Sequence, residues 1–508
     1  MERASRWFVF IGLAAAFLWA CKPEELPHVQ EEDVFPSNSL DYRIVVDGRE
    51  YRPADTTKTG CLVFVPGGTD LKALVAKFND TGRTLSVNGV TQESGVTANN
   101  FSSFRNGVNY RIEEEDGKTR TYNVIVIDTN LPVAIVTTDT PKAISSKTTW
   151  RGSSMRLLGQ DGKMTDLGRS FIRGRGNWTW EMYPKKPYAV KLENRQKVLG
   201  MPAHKRWVLL AEYRGFIGNP LMFECTRRAT ALGWAPRGQF VELVLNGKFQ
   251  GLYYLCEQIK IDKDRVNIEK LKADDTEYPA VSGGYLLEYD ELYDEKFKFK
   301  SAKFNLPVQI KSPDDSLQDA QFNYIRDYIN EMEAEIKKIG TKEESHYADY
   351  LDVESFADWW LVLESIANYE AYKPRSVKFY KGRDGVDSPP GTVCKLKAGP
   401  LWDQELFLMD KKFNSKDMYY FKYLFRDPAF VETVKRRWEI YKSNLLGNDK
   451  YVDIVEYMND MVSLIKKSAN RDISLWNNEY FSLSGEVRPV QNGFHSKIEW
   501  MDAQIRAL

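Results

Sequence analysis

The chain has 508 residues, more than one hydrophobic core is expected to hold, so two or more domains are predicted. It is 43% hydrophobic, 28% charged and 13% aromatic, a globular composition that rules out a disordered or low-complexity chain. Its 71 basic and 71 acidic residues cancel, which argues against a nucleic-acid partner, because phosphates demand a basic surface.

The N-terminus, MERASRWFVFIGLAAAFLWAC, has Arg3 and Arg6 followed by an apolar run from Trp7 to Ala20. That run is short for a permanent span and suits the apolar centre of a secretory signal. Leu18-Trp19-Ala20-Cys21 resembles a bacterial lipobox, which implies a signal over 1–20 and lipidation at Cys21. The polar, proline-bearing stretch 21–40 then reads as a tether. Its start, Cys21-Lys22-Pro23-Glu24-Glu25, resembles signals that send Bacteroidetes lipoproteins to the cell surface. A location in the cell envelope, at the outer membrane or cell surface, is the expectation.

Residues 41–129 contain short alternating segments, YRIVVDG, CLVFVPGG, RTLSVNGV, VNYRIEEEDG and RTYNVIVID, separated by turn residues. Asn88-Gly89 and Asp116-Gly117 are hairpin signals, since positive φ costs those residues little. The pattern predicts an all-β sandwich. It resembles small immunoglobulin-like domains of Bacteroidetes lipoproteins, which implies spacing or binding rather than catalysis.

From about residue 130 the pattern becomes α+β. LPVAIVTTD, AVKLE and GGYLLEYD read as strands and VELVLNGKFQGLYYLCEQI as a hairpin. QFNYIRDYINEMEAEIKKIG and VESFADWWLVLESIANYE carry apolar residues at helical spacing, the second behind Asp352, and the chain beyond Pro428 reads as mostly helical. Cys61, Cys225, Cys256 and Cys394 show no CxxC spacing, so buried thiols are expected, with Cys225 and Cys256 the pair to check for a disulfide. The four dispersed histidines, His28, His204, His346 and His495, argue against histidine-based catalysis or metal binding.

The segment FIRGRGNWTWEMYPKKPYAVKLE (171–193) gathers Arg173, Arg175, Lys185, Lys186 and Lys191 around a Gly-rich turn bracketed by Trp178 and Trp180. Free backbone N–H groups beside guanidinium groups suit phosphate, and aromatics could cover a base. A β-turn with snorkelling cations and core tryptophans explains the same residues, and both readings stand.

Six segments in order then carry a family resemblance: Arg175-Gly176-Asn177, Lys185-Lys186-Pro187-Tyr188, Leu199-Gly200-Met201-Pro202, Trp207-Val208-Leu209-Leu210-Ala211, Gly218-Asn219, and Asn246-Gly247 through Ile259. Leu401-Trp402-Asp403-Gln404-Glu405 and Asn368-Tyr369-Glu370 extend it. The chain resembles the spore coat protein H (CotH) kinase-like family over roughly 130–508. The resemblance implies an atypical protein-kinase-like α+β domain with a helical C-terminal part, transferring phosphate from ATP to a protein acceptor with Mg²⁺ or Mn²⁺. On a strand, Asp403 and Glu405 at i and i+2 would share one face and hold one divalent ion. The resemblance further implies Glu370 as third ligand or base alongside Asp403. Lys186 or Lys191 would lie on the ATP phosphates with Arg173 and Arg175, and Glu257 would orient that lysine.

Three positions depart from the family pattern: Glu405 and Glu370 stand where Asp is usual, and Ser376 where many members carry Asn. The extra methylene shifts a ligand by about 1 Å, enough to cost rate where positioning is the mechanism. No GxGxxG or HRD motif is present, so an ordinary protein kinase is not expected. The alternative function is a non-catalytic surface lipoprotein, a pseudokinase that binds glycan or protein partners.

Overall fold

The computed structural model describes residues 40–313, 316–366, 374–403, 409–478 and 480–508. Cys21 and the signal segment, Glu370 and Glu405 lie outside the described residues.

The N-terminal unit is all-β. A four-stranded sheet runs in the order Arg49–Tyr51, Tyr42–Val46, Leu74–Phe78, Ala98–Asn99. A six-stranded sheet runs Pro53–Thr57, Gly60–Pro66, Thr119–Thr129, Val108–Glu114, Arg83–Val87, Val90–Thr91. Alternation decides what each face meets. Tyr122, Val124 and Val126 point inward to a core with Tyr42, Ile44, Val63, Tyr110 and Ile112, where the Tyr42 and Tyr110 hydroxyls bond at 2.8 Å. Ile127, on the opposite face of the same strand, packs with Phe64, Val133, Ile135 and Val244. The last strand of the β unit is therefore buried on both sides.

Seven strands next close into a barrel, in the order Val133–Thr138, Arg151–Leu158, Met164–Gly174, Tyr188–Val198, Met201–Leu210, Lys248–Glu257, Gly238–Leu245. All neighbours are antiparallel except the closing pair, where Val133 to Val136 run parallel to Glu242 to Leu245. Ile172, Val190, Leu192, Trp207, Leu209, Leu243, Tyr253 and Leu255 fill the interior. Val208, Leu210, Leu252, Tyr254 and Cys256, on the outward face, join a larger core with the helical part. The sequence predicts several of these strands but not the closure, which depends on pairing between segments about a hundred residues apart.

A second, five-stranded sheet runs Lys298–Lys300, Pro307–Ser312, Tyr285–Tyr289, Val377–Lys381, Lys397–Ala398. Helices Asp319–Lys338, Val353–Ile366, Pro428–Leu446, Ile454–Leu475 and Leu483–Arg506 pack around it through the same large core. The expected strand over LKAGPLWDQELFL is corrected here. Among the described residues of this stretch only Lys397–Ala398 are paired, Gly399-Pro400 follows directly, and Asp403 has φ 66, a left-handed conformation outside the extended range of a strand. All four described cysteines are buried free thiols, Cys225 and Cys256 included. Among the described residues no helix is long and apolar enough to cross a membrane.

The β unit and the C-terminal helices meet on a buried ionic junction. Arg471 donates to the Asp128 backbone carbonyl at 2.7 Å, to its carboxylate at 3.2 Å, and to Glu242 at 2.9 Å. Ser468 adds a bond to Glu242 at 2.6 Å, and Lys467 pairs with Asp128. Asp128 and Glu242 are essentially inaccessible. Asp128→Ala would remove the buried carboxylate bond from Arg471 while Glu242 still balances the guanidinium, so it should cost about 2 kcal/mol of stability, the scale of a hydrogen bond to a charged group. Urea denaturation measures this, and a loss under ~0.5 kcal/mol, the scale of a surface change, would contradict it.

Candidate functional site

The Gly-rich turn leaves the barrel where the Met164–Gly174 strand ends. A Cβ at Gly174 would lie 2.4 Å from the Trp180 ring, so glycine lets that indole rest on the backbone. Gly176, at φ +83, turns the chain into the short helix Trp178–Met182. The two tryptophans therefore divide the two sequence readings: Trp180 is buried core, whereas Trp178 is 63% exposed.

The five cations also separate. Lys185 is fully buried and ion-paired with Asp472 at 2.8 Å. Lys186 donates to the Trp180 carbonyl and lies over that ring, which ties it to the short helix. Its expected role on ATP phosphates is thus opposed by a structural use of its ammonium. Arg173 and Lys191 face outward from the barrel, because their register partners Ala189 and Phe171 alternate with the inward-facing Ile172, Val190 and Leu192. Arg173 lies over Trp150 at 4.6 Å and Lys191 over Phe171 at 5.7 Å. Burial lowers the Arg173 pKa, and the Glu295 carboxylate, on the loop between Tyr285–Tyr289 and Lys298–Lys300, opposes that shift.

Arg175 reaches furthest. Its guanidinium sits over the Trp402 ring at 5.3 Å, and Trp402 is the residue before Asp403. The Asp403 carboxylate accepts from the Ser376 hydroxyl at 3.3 Å, and the Ser376 N–H donates to Asp290 at 3.1 Å. Beneath them Glu288 is held by Lys378 and by Lys311 at 3.1 Å. Burial opposes the Glu288 charge, yet the two lysines override it and take the carboxyl down to about 2. Burial raises the pKa of Asp290, where two backbone donors only partly offset it.

Glu257 departs from its expected role. It is fully buried and bridges Arg237, with two contacts at 2.8 Å, and Arg265 at 3.7 Å. These arginines, not a phosphate-facing lysine, take its charge.

Sequence reading missed Glu212, which directly follows the Trp207–Ala211 strand motif. It is buried, has φ 46, and accepts from Asn219 at 3.3 Å. Asn219 and Phe223 are one turn apart on the helix Gly218–Arg228, and Phe223 packs on Trp402 with ring centroids 5.5 Å apart. The helix that bonds Glu212 through Asn219 thus also packs on Trp402, the residue before Asp403. Ser376 and Asp403, which are hydrogen-bonded to each other, both have left-handed backbone, and such strain persists only where surrounding structure enforces it. An acidic residue closing an apolar run was the available signal, the same one that singles out Asp403. Among the described residues no three His, Cys, Asp or Glu side chains form a metal-sized group, and Asp403 is the one described member of the expected carboxylate set.

The helix that carries Asn219 is fixed at its start by Glu486, which accepts the Phe216 and Ile217 N–H groups at 2.9 and 3.0 Å. Burial pushes this carboxyl from 4.5 up to about 7, against those hydrogen bonds. A raised carboxyl contributes stability that is complete below its unfolded pKa and is lost as pH rises through the folded one. Stability should therefore decline between about pH 5 and pH 8, and Glu486→Gln should flatten that part of the profile. An unchanged slope in denaturation series across that range would contradict the assignment. Glu257→Gln, by contrast, should lower stability by about 3 kcal/mol at neutral pH by leaving Arg265 uncompensated. Chemical denaturation checks this, and full stability in the variant would return Glu257 to the site.

No curated protein matches the sequence. A solved structure from Bacteroides thetaiotaomicron, described as a "putative glycoside hydrolase", aligns over 57% of this chain and 88% of its own, at 15% identity and a TM-score of 0.18. Agreement that slight carries no argument about this fold or its chemistry. The family model described as CotH kinase protein matches residues 172–503, more than half of the chain; it takes in four of the seven barrel strands in full, the second sheet and nearly all of the helical part. The chain belongs to the CotH kinase protein family.

Proposed function

We propose that this chain is an exported lipoprotein, anchored in the cell envelope through Cys21, whose CotH-type region transfers phosphate from ATP to a protein acceptor. The observation that carries the reading is the approach of Arg175 to Trp402 beside Asp403. It joins a cation from the barrel turn to the residue that precedes the Asp403 carboxylate, and cation with carboxylate is the combination phosphoryl transfer needs. Arg173 and Lys191 extend the cationic wall on the outer face of the barrel. Asp403 and the Ser376 hydroxyl are oxygen donors of the type Mg²⁺ and Mn²⁺ accept, and Glu405 and Glu370 would complete the set. Such an ion would neutralise phosphate charge, while Arg175 and Asp403 fix its surroundings. The β unit, proposed as an immunoglobulin-like module over 41–129, would space the site from the membrane.

One observation favours the second reading, a pseudokinase that binds glycan or protein partners. Beside the turn, exposed Trp178 and Met182 adjoin Tyr183 and Tyr213, whose rings lie 4.9 Å apart with Arg214 over Tyr183. Aromatic faces of that kind suit sugars or apolar side chains.

Titration of the mature chain with ATP in the presence of Mg²⁺ or Mn²⁺, followed by calorimetry, separates the readings. The kinase reading expects metal-dependent binding that Asp403→Asn reduces at least tenfold, with folding unchanged because the amide keeps the shape. Lys191→Ala should weaken ATP and leave metal binding less affected. Wild-type protein that binds no nucleotide at millimolar concentration would leave the binding lipoprotein as the better account.

A further inference from the structure

Lys185 is the one cation of the Gly-rich segment with no exposed surface, and its surroundings explain two sequence motifs at once. Its ammonium meets Asp472 at 2.8 Å, donates to the Leu252 carbonyl, and lies over the Tyr253 ring at 4.7 Å and the Phe216 ring at 5.8 Å. The same Asp472 oxygen accepts the Leu252 N–H at 2.9 Å. The carboxylate can approach only because residue 251 is glycine: a Cβ there would lie 2.1 Å from the Asp472 oxygen, and the backbone is at φ +87. The second glycine of Asn-Gly-Lys-Phe-Gln-Gly thus makes room for Asp472, and the first lysine of Lys-Lys-Pro-Tyr supplies its counter-charge. Trp476, one turn further along the helix, donates to the Gln250 carbonyl at 3.1 Å and fastens the same place.

The neighbouring residue Arg471 bonds Asp128 and Glu242, so one turn of the Ile454–Leu475 helix grips the β unit with one side chain and the Gly-rich segment with the next. Glu212 and Glu242 are the further carboxylates that act on Lys185. Lys185 stands three residues before Tyr188, where the chain re-enters the barrel, and ten residues after Arg175. Fixing the Lys185 end of the turn restricts where Arg175 can lie against Trp402.

We infer that Lys185 and Asp472 are positioning residues for the phosphate-facing turn, holding Arg175 over Trp402 from a helix that contributes nothing to the site itself. The inference rests on the phosphotransfer reading for its functional consequence, but its structural half stands without nucleotide.

The test uses the full mature chain. Asp472→Asn alone leaves a buried ammonium uncompensated and is expected to destabilise the whole protein. The informative variant is therefore the double substitution Lys185→Met with Asp472→Asn, which removes both charges at similar volume and should regain most of the wild-type melting temperature. Positioning predicts that this variant still exchanges the amides of residues 175–188 at least tenfold faster than wild type, while helix 319–338 exchanges at its usual rate. Affinity for ATP with Mg²⁺ should fall at least tenfold. Turn protection and affinity that recover together with the melting temperature would overturn the proposal and leave the pair a stabilising contact only. If the double variant does not fold, Asp472→Glu keeps both charges but moves the carboxylate, and wild-type exchange of the turn in that variant overturns the proposal equally. Wild-type protein that binds no ATP would refute the phosphotransfer reading, and the exchange comparison would still decide the positioning claim.

Discussion

The Asp472 carboxylate occupies the point where three pieces of chain far apart in sequence have to meet. It is buried by the hairpin strand Lys248–Glu257, the Lys185 segment and the helix Ile454–Leu475. Burial pushes its carboxyl up to about 6 even with Lys185 opposing the shift. Taking two charges out of water costs several kcal/mol per ion unless the geometry is close and the remaining bonding capacity is filled. Here the Leu252 N–H and carbonyl fill it, so small displacements of any of the three segments are penalised. The barrel wall, the turn that carries Arg175 and the helix that grips Asp128 are consequently not free to shift independently.

The candidate site depends on that constraint because its parts come from opposite sides of the large core. Arg173, Arg175 and Lys191 are presented by the barrel, whereas Asp290, Ser376 and Asp403 belong to the second sheet and the chain beside it. The helix Gly218–Arg228 closes the gap, with Phe223 on Trp402 and Asn219 on Glu212. Left-handed backbone at Ser376 and Asp403, bonded to each other, stores local strain that the structure around them has to sustain. The cations, for their part, lie over aromatic rings, Arg173 on Trp150 and Arg175 on Trp402, which limits their rotamers without neutralising their charge.

Much of this was legible in the sequence where physics is local. Alternation and the Asn88-Gly89 and Asp116-Gly117 turns predicted the β unit, helical spacing predicted Asp319–Lys338 and Val353–Ile366, and the quoted motifs led to the family. What the sequence could not show was partner choice. Five cations in one segment look equivalent until the barrel closes, after which Lys185 is buried, Lys186 caps a helix, and Arg175 alone reaches Trp402. Glu257 looked like a partner for a lysine, but Arg237 and Arg265 arrive from distant positions. A strand through Asp403 seemed natural from the apolar residues around it, and the Gly399-Pro400 step broke it after two residues. Glu212 was overlooked because its role arises from the helix start at Asn219 and the stacking of Phe223, neither of which has a local signature.

The claim that one locality serves both the barrel cations and Asp403 is tested most directly by crystallography with Mn²⁺ and a non-hydrolysable ATP analogue. Anomalous scattering would locate the metal independently of the protein atoms. The account predicts a Mn²⁺ peak within bonding distance of the Asp403 carboxylate, with the analogue's phosphates lying between it and Arg175. A metal or nucleotide bound away from Asp403, with Arg175 still stacked on Trp402 and touching neither, would contradict it.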